Sequence, residues 1–276
     1  MHAAEPVAAA GWRAEIALGY ERHGARTVLA QRHHDGPLVV QKPLYPEGDA
    51  VCHTIVVHPP GGIAGGDELE IRARAGAGAH ALLTTPGAGK WYRSAGPWAR
   101  QSITIDVAEG AMLEWLPQET IVFDGALARL ETQIDLSGDA SFFAWEILCF
   151  GRSGSGERFT RGECRVSTTI RRDGKLLWLE RGRIEGGGRL MHAEAGLGEH
   201  SVCATLFGCA PGLDASALAR CRVVEDAAIT LLPGVLVARH LGDSSERAKR
   251  CFARLWSLLR PALCGREAIE PRIWRT

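Results

Sequence analysis

Apolar and polar residues alternate with a period of two along much of the chain. Leu69, Ile71 and Ala73 alternate with Glu68, Glu70, Arg72 and Arg74. Ile103, Ile105 and Val107 alternate with Ser102, Thr104 and Asp106. Leu130, Thr132, Ile134 and Leu136 alternate with Arg129, Glu131, Gln133 and Asp135. Successive side chains of a strand point to opposite faces, so these runs predict half-buried strands. Turn signals separate them: Asp35-Gly36, Glu109-Gly110, Asp124-Gly125, Ser137-Gly138-Asp139 and Asp173-Gly174. No long helical pattern lies between the runs, which argues for antiparallel pairing. An internal echo adds a second feature. Segments beginning at Gly78, Gly110 and Gly138 each follow a turn and open a strand, at spacings of 32 and 28 residues. The expected fold is mainly β: a large wound antiparallel or mixed sheet, solenoid-like, with about two helices.

One helix is expected near the C-terminus. Asp243 is placed to cap it, with Glu246 three residues on. Ala248, Cys251, Phe252, Leu255, Leu258 and Leu259 recur at helical spacing, and Pro261 closes the pattern. Its polar face carries Arg247, Lys249, Arg250 and Arg254. Capping the sheet is its first expected task, and docking a partner the second. A shorter helix is expected at Asp214–Arg220.

The decapeptide His58-Pro59-Pro60-Gly61-Gly62-Ile63-Ala64-Gly65-Gly66-Asp67 can continue neither strand nor helix. Two prolines remove backbone donors and four glycines open φ > 0. It reads as a sharply shaped loop after the apolar run Ile55-Val56-Val57.

Composition narrows the classes. The chain has 276 residues, 46 % of them apolar, enough for a sizeable core. It is expected to form one domain over residues 1–276, with 1–11 flexible. Lys+Arg and Asp+Glu are both 32. That balance argues against binding to nucleic acid or an anionic membrane surface. No apolar run reaches the roughly 20 residues of a membrane helix, and Met1–Ala10 lacks a basic leader pattern. The eight cysteines are scattered, and read as reduced, small apolar residues of a cytoplasmic protein.

Most catalytic motifs fail on inspection. Gly89-Lys90 lacks both the earlier Gly and the following Ser or Thr of a phosphate loop. Ser153 and Ser155 lack the flanks of a nucleophile elbow. On one strand Cys52 and His58 would lie roughly 20 Å apart, and His53 would face the other side, so these cannot clamp one ion. His33-His34 and Cys203/Cys209 are no better. Glu114, Glu119, Asp124, Glu146 and Glu157 sit among apolar or aromatic neighbours, where any could be a buried paired carboxylate. Lys90-Trp91-Tyr92-Arg93-Ser94 mixes cations with aromatics, as either a solvated strand edge or an interface patch does. Trp115–Phe123 reads as strand, Pro break and strand.

Five segments occur in an order that resembles the UreD (UreH) family of urease accessory proteins. They are Gln41–Gly48, His58–Asp67, Thr84–Ser94, Trp115–Glu119 and Gly151-Arg152 with Gly156-Glu157. The ending Pro271-Arg272-Ile273-Trp274 is also similar. The resemblance implies a non-enzymatic cytoplasmic scaffold that binds the urease structural subunits and UreF. Through UreF it recruits the GTPase UreG, and Ni²⁺ passes into the urease active site. It also implies a mainly β fold with two helices and an internal water-filled passage. No stably bound cofactor is expected, only nickel in transit. Candidate groups along the path are His58, Asp67, Glu119, Asp124, Glu146 and Glu157. Candidate contact residues are Lys90, Tyr92, Arg93, Arg247 and Arg250. The competing readings are a β-architecture hydrolase with an unidentified carboxylate pair and a ligand-binding β protein.

Overall fold

A computed structural model describes residues 11–275. The expectation of flexibility for residues 1–11 therefore falls, Gly11 apart, outside the described residues. In chain order the strands are β1 (Arg13–His23), β2 (Arg26–Asp35), β3 (Val39–Val40), β4 (Cys52–Val57), β5 (Glu68–Ala75), β6 (His80–Thr84), β7 (Gly89–Trp91), β8 (Ala99–Val107) and β9 (Met112–Trp115). They continue with β10 (Thr120–Val122), β11 (Leu127–Leu136), β12 (Ser141–Phe150), β13 (Glu163–Arg172), β14 (Lys175–Glu185), β15 (Val202–Cys209), β16 (Ala228–Leu232) and β17 (Val235–Gly242). The helices are α1 (Arg189–His192), α2 (Ala215–Cys221) and α3 (Ser245–Cys264).

Two sheets share one apolar interior. Their strand orders are β14-β13-β11-β8-β5-β1-β2 and β16-β17-β15-β12-β9-β6-β4-β3. From β4 to β13 the chain shuttles between them, so each circuit adds one strand to each sheet. Stacked neighbours are then parallel: β5, β8, β11 and β13 in the first sheet, β4, β6, β9 and β12 in the second. Antiparallel pairs hold the margins, β1 with β2, β13 with β14, and β15 with β17. The wound, mixed architecture matches the sequence pattern; the antiparallel pairing expected for the central strands is replaced by parallel pairing. Parallel neighbours need a long crossover, usually a helix. Here the strand laid in the opposite sheet is the crossover, so no helical pattern is required.

The echo in the sequence marks the corner of each coil. The amides of Ala79, Ala111 and Ala140 donate to the carbonyls of Gly76, Ala108 and Ser137, each at 3.0 Å. All three alanines are buried. Met112 N then donates to Ala79 O, and Ser141 N to Ala111 O, both at 2.9 Å. Gly78 and Gly110 sit at φ 67°, where a side chain would strain the backbone.

The first sheet buries one face. The second is covered on both, by the first sheet inside and by α2 and α3 outside. Strand β12 is accordingly buried at every position but Glu146. Ser244 caps α3 by accepting from Arg247 N at 3.2 Å. Asp243, the expected cap, instead accepts from Ser201 N at 2.9 Å and ties the helix start to β15. Pro261 does not end the helix. It faces solvent in the last turn, while Arg260 and Leu263 on the buried side carry α3 on to Gly265 in the left-handed conformation. Asp214 caps α2 by accepting from Ala217 N. The cysteines are free, and six of the eight are buried.

Candidate functional site

The loop of residues 58–67 is closed by its last residue. The Asp67 carboxylate accepts from Ala64 N and Trp12 N, each at 2.8 Å. Gly62 lies beneath the Tyr92 ring, where a Cβ would stand 2.1 Å from Cε2. Ile63 bridges to Trp91, joining the loop to β7. This shaping forms one end of a cavity of about 320 Å³ between the two sheets. The cavity reaches the surface where Gly61, Gly87, Gly89 and Lys90 are exposed.

Most of the wall is apolar, with Ile71, Ile103, Trp115, Phe142 and Phe207 among its residues. Its polar lining includes Thr85, Gln118, Thr120 and Glu131 besides the mouth residues, and four polar side chains in the inward-facing phases of the strands. Gln101 on β8, Thr132 on β11 and Thr168 on β13 occupy the inward phase of the first sheet; Glu146 on β12 faces them from the second. None of the four has a hydrogen-bond partner among the described residues. The accessible surface that Glu146 retains lies towards the cavity. Burial, with a smaller contribution from the charge of Glu180, pushes its carboxyl up to about 7. Glu146 is the one carboxylate in the inward phase of these strands, and a single carboxylate among neutral oxygen donors can hold a hydrated divalent cation weakly and release it.

The polar phase continues beyond the cavity. Glu146, Thr205 and Arg239 lie in register across the second sheet, and Thr132, Thr168 and Glu180 across the first. Arg239 Nη2 donates to Glu180 at 2.8 Å and joins the two rows.

The remaining path candidates are placed elsewhere or at the mouth. His58 lines the mouth; burial lowers its pKa, opposed by the charge of Asp67. Asp67 is occupied as the loop clamp. Glu119 lies in a separate groove beside α3 with Lys249 and Trp274. Asp124 accepts from Thr160 N at 2.7 Å, from Arg161 N at 2.8 Å and from the Arg161 guanidinium. Burial raises its pKa, but these donors outweigh that and hold it at about 2. Glu157 pairs with Arg152 at 2.6 Å, which lowers its pKa. Of the six, the cavity brings together only His58 and Glu146. Among the contact candidates, Lys90 flanks the mouth, Tyr92 packs edge-on to Phe123 at 5.1 Å, and Arg93 lies against Gly125. Arg247 pairs with Asp226 and Arg250 with Glu246.

Glu114, left open by the sequence, belongs to a buried ionic cluster under α3. Its carboxylate accepts from His80 Nε2 at 2.7 Å, Arg260 Nη2 at 3.0 Å and the Trp256 indole. Arg260 also donates to Glu47 at 2.7 and 2.8 Å, and Glu47 accepts from His53 at 2.6 Å. Burial opposes ionisation of Glu114, but His80 and Arg260 prevail and hold it at about 2. Sequence reasoning missed Gln101, Thr132 and Thr168. The available signal was a polar residue in the buried phase of a strand: Thr132 stands among Leu130, Ile134 and Leu136. Among the described residues no three His, Cys, Asp or Glu side chains converge as a metal site. No described helix is long and apolar enough to cross a membrane.

Comparisons with known proteins agree along the whole length. The profile of the UreD urease accessory protein family matches residues 13–275. A urease accessory protein UreD of Azoarcus sp. (strain BH72) is 59 % identical, over 100 % of this chain and 97 % of its own. One from Dechloromonas aromatica (strain RCB) is 53 % identical, over 99 % and 97 %. One from Pseudomonas aeruginosa (strain PAO1) is 52 % identical, over 96 % and 95 %. These relatives are named as accessory proteins, and membership implies a role in urease maturation. The chain belongs to the UreD family of urease accessory proteins.

Proposed function

We propose that this chain is a cytoplasmic, non-catalytic scaffold of urease maturation, and that its intersheet cavity conducts Ni²⁺ towards apo-urease. In this reading the chain holds the urease structural subunits and UreF, and UreF brings the GTPase UreG with its nickel. The observation that carries the conduit is Glu146: an enclosed carboxyl with no hydrogen-bond partner among the described residues, facing neutral oxygens in a mostly apolar space. A resident metal site would gather several strong ligands. A conduit needs weak, successive ones, because the ion must leave. With its carboxyl near 7, Glu146 can take a proton when the cation departs.

The test is Glu146→Gln, which keeps the shape and removes the charge. Urease matured in cells carrying the variant should contain several-fold less nickel, while co-purification of the variant with urease and UreF is retained. Wild-type nickel content would remove the conduit. Asp67→Ala is a poor substitute, since it frees the amides of Ala64 and Trp12 and damages the loop.

A further inference from the structure

We propose that Arg239, locked on Glu180, is a side-chain gate that closes the far end of the intersheet cavity to cations. The inference rests on the reading of that cavity as a cation passage.

Three observations carry it. The first is position. Arg239 lies in register with Thr205 and Glu146, and Glu180 with Thr168 and Thr132. Glu146, Thr132 and Thr168 line the cavity, whereas Thr205, Arg239 and Glu180 lie just beyond it. The ion pair therefore stands where the row of polar groups leaves the cavity.

The second is the thinness of the wall. At this flank the first sheet ends in β14 and the second in β17 and β16, and no strand pairs across the gap. The sheets are bridged there by side chains: the Arg239–Glu180 pair at 2.8 Å, the Arg239 guanidinium 5.9 Å from the Trp178 ring, and Trp178 against Phe207 at 5.8 Å. Phe207 belongs to the cavity wall, while the Arg239 and Glu180 side chains are 43 % and 26 % exposed. One layer of side chains separates cavity from solvent. The Trp178 indole N–H in this layer is buried without a partner among the described residues, so the layer they form is not fully satisfied when closed.

The third is the charge change on opening. Closed, a guanidinium stands at the exit and repels a divalent cation. Opened, Glu180 is released, and with Glu146 it presents two carboxylates to the same space. Exposed ion pairs and cation–π contacts are individually weak, so opening needs no disruption of either sheet.

Cys203 provides a reporter. It sits on β15 against the interior, two residues before Thr205, and its thiol senses the charges of Arg239, Glu146 and Glu180. Cys52, fully buried on β4, reports global unfolding. The full-length protein is treated with a trimethylammonium-ethyl methanethiosulfonate or with neutral methyl methanethiosulfonate, and each cysteine is followed by peptide mass spectrometry. Arg239→Gln should raise the rate of Cys203 labelling by the cationic reagent about tenfold, and by the neutral one less. Glu180→Gln should accelerate the neutral reagent more than the cationic one, since it breaks the lock but keeps the positive charge. Cys52 should stay slow in both. Unchanged Cys203 rates, or equal acceleration at Cys52, would overturn the gate. Glu146→Gln keeps the Arg239–Glu180 lock, so it should speed Cys203 labelling by the neutral reagent only slightly, through the lost charge near the thiol, and far less than Arg239→Gln speeds the cationic reagent. A wild-type nickel content in that variant would thus remove the nickel reading without touching the gate.

Discussion

Glu114 and Glu146 stand on the paired strands β9 and β12, both enclosed by protein, on opposite faces of one sheet. Glu114 faces α3 and receives Arg260, His80 and Trp256; its carboxyl is held at about 2. Glu146 faces the cavity with no hydrogen-bond partner among the described residues, and its carboxyl is pushed up to about 7. Burial is common to both, so partners decide the outcome. The first carboxylate is a fixed anion that fastens a helix. The second exchanges its proton near neutrality, as a transfer group must.

The comparison breaks hardest at Arg260. Arg260→Met leaves Glu47 and Glu114 buried without their shared cation. Unfolding free energy should drop by about 3–5 kcal/mol in urea titrations, with α3 coming loose from the sheet. A loss well below that would mean that water reaches the cluster.

The pH dependence sharpens the contrast, because the two carboxyls act with opposite sign. The folded pKa of Glu114 is depressed, so its stabilisation is present above about 4.5 and is lost as pH falls towards 2. The folded pKa of Glu146 is raised, so the folded state favours the protonated form. Its ionisation costs stability as pH rises from about 4.5 to 7. Glu146→Gln should therefore match wild type below pH 4.5 and exceed it above pH 7, by on the order of 3 kcal/mol. A pH-independent difference between the two proteins would refute the assignment.

The smallest effect belongs to the surface. Glu157→Gln removes a partly exposed partner of Arg152, and should cost less than about 1 kcal/mol in thermal melts. A larger loss would show that Glu157 positions more than its arginine, most directly Asp124, whose amide it accepts at 3.2 Å.

How much of this was legible follows from which faces are wet. The first sheet has one solvated face, and β5, β8 and β11 alternate plainly in the sequence. The second sheet has none at its centre, from β6 to β12. Ser-Phe-Phe-Ala-Trp-Glu-Ile-Leu-Cys-Phe of β12 is a nearly continuous apolar run in which Glu146 is the single acidic or basic interruption. Pairing direction was hidden because the crossover is itself a strand. Pro261 misled because proline usually ends a helix, whereas here it continues the solvent-side row of Arg247 and Arg254 and α3 runs on past it to Cys264. The Arg260 cluster joins Glu47, Glu114 and Arg260 across 213 residues, and no local pattern links them. The polar belt was faintly visible in Thr132, whose neighbours in the buried phase are all apolar.

The stacked alanine corners have one more consequence. A side chain's face is fixed by counting residues from its corner, and the count has a parity. Deleting one residue within β8 or β11 would turn that coil's apolar set outwards and its charges inwards. Length changes that such a fold tolerates are thus those in the loops, or the gain and loss of whole circuits, because both leave the register of the strand segments intact.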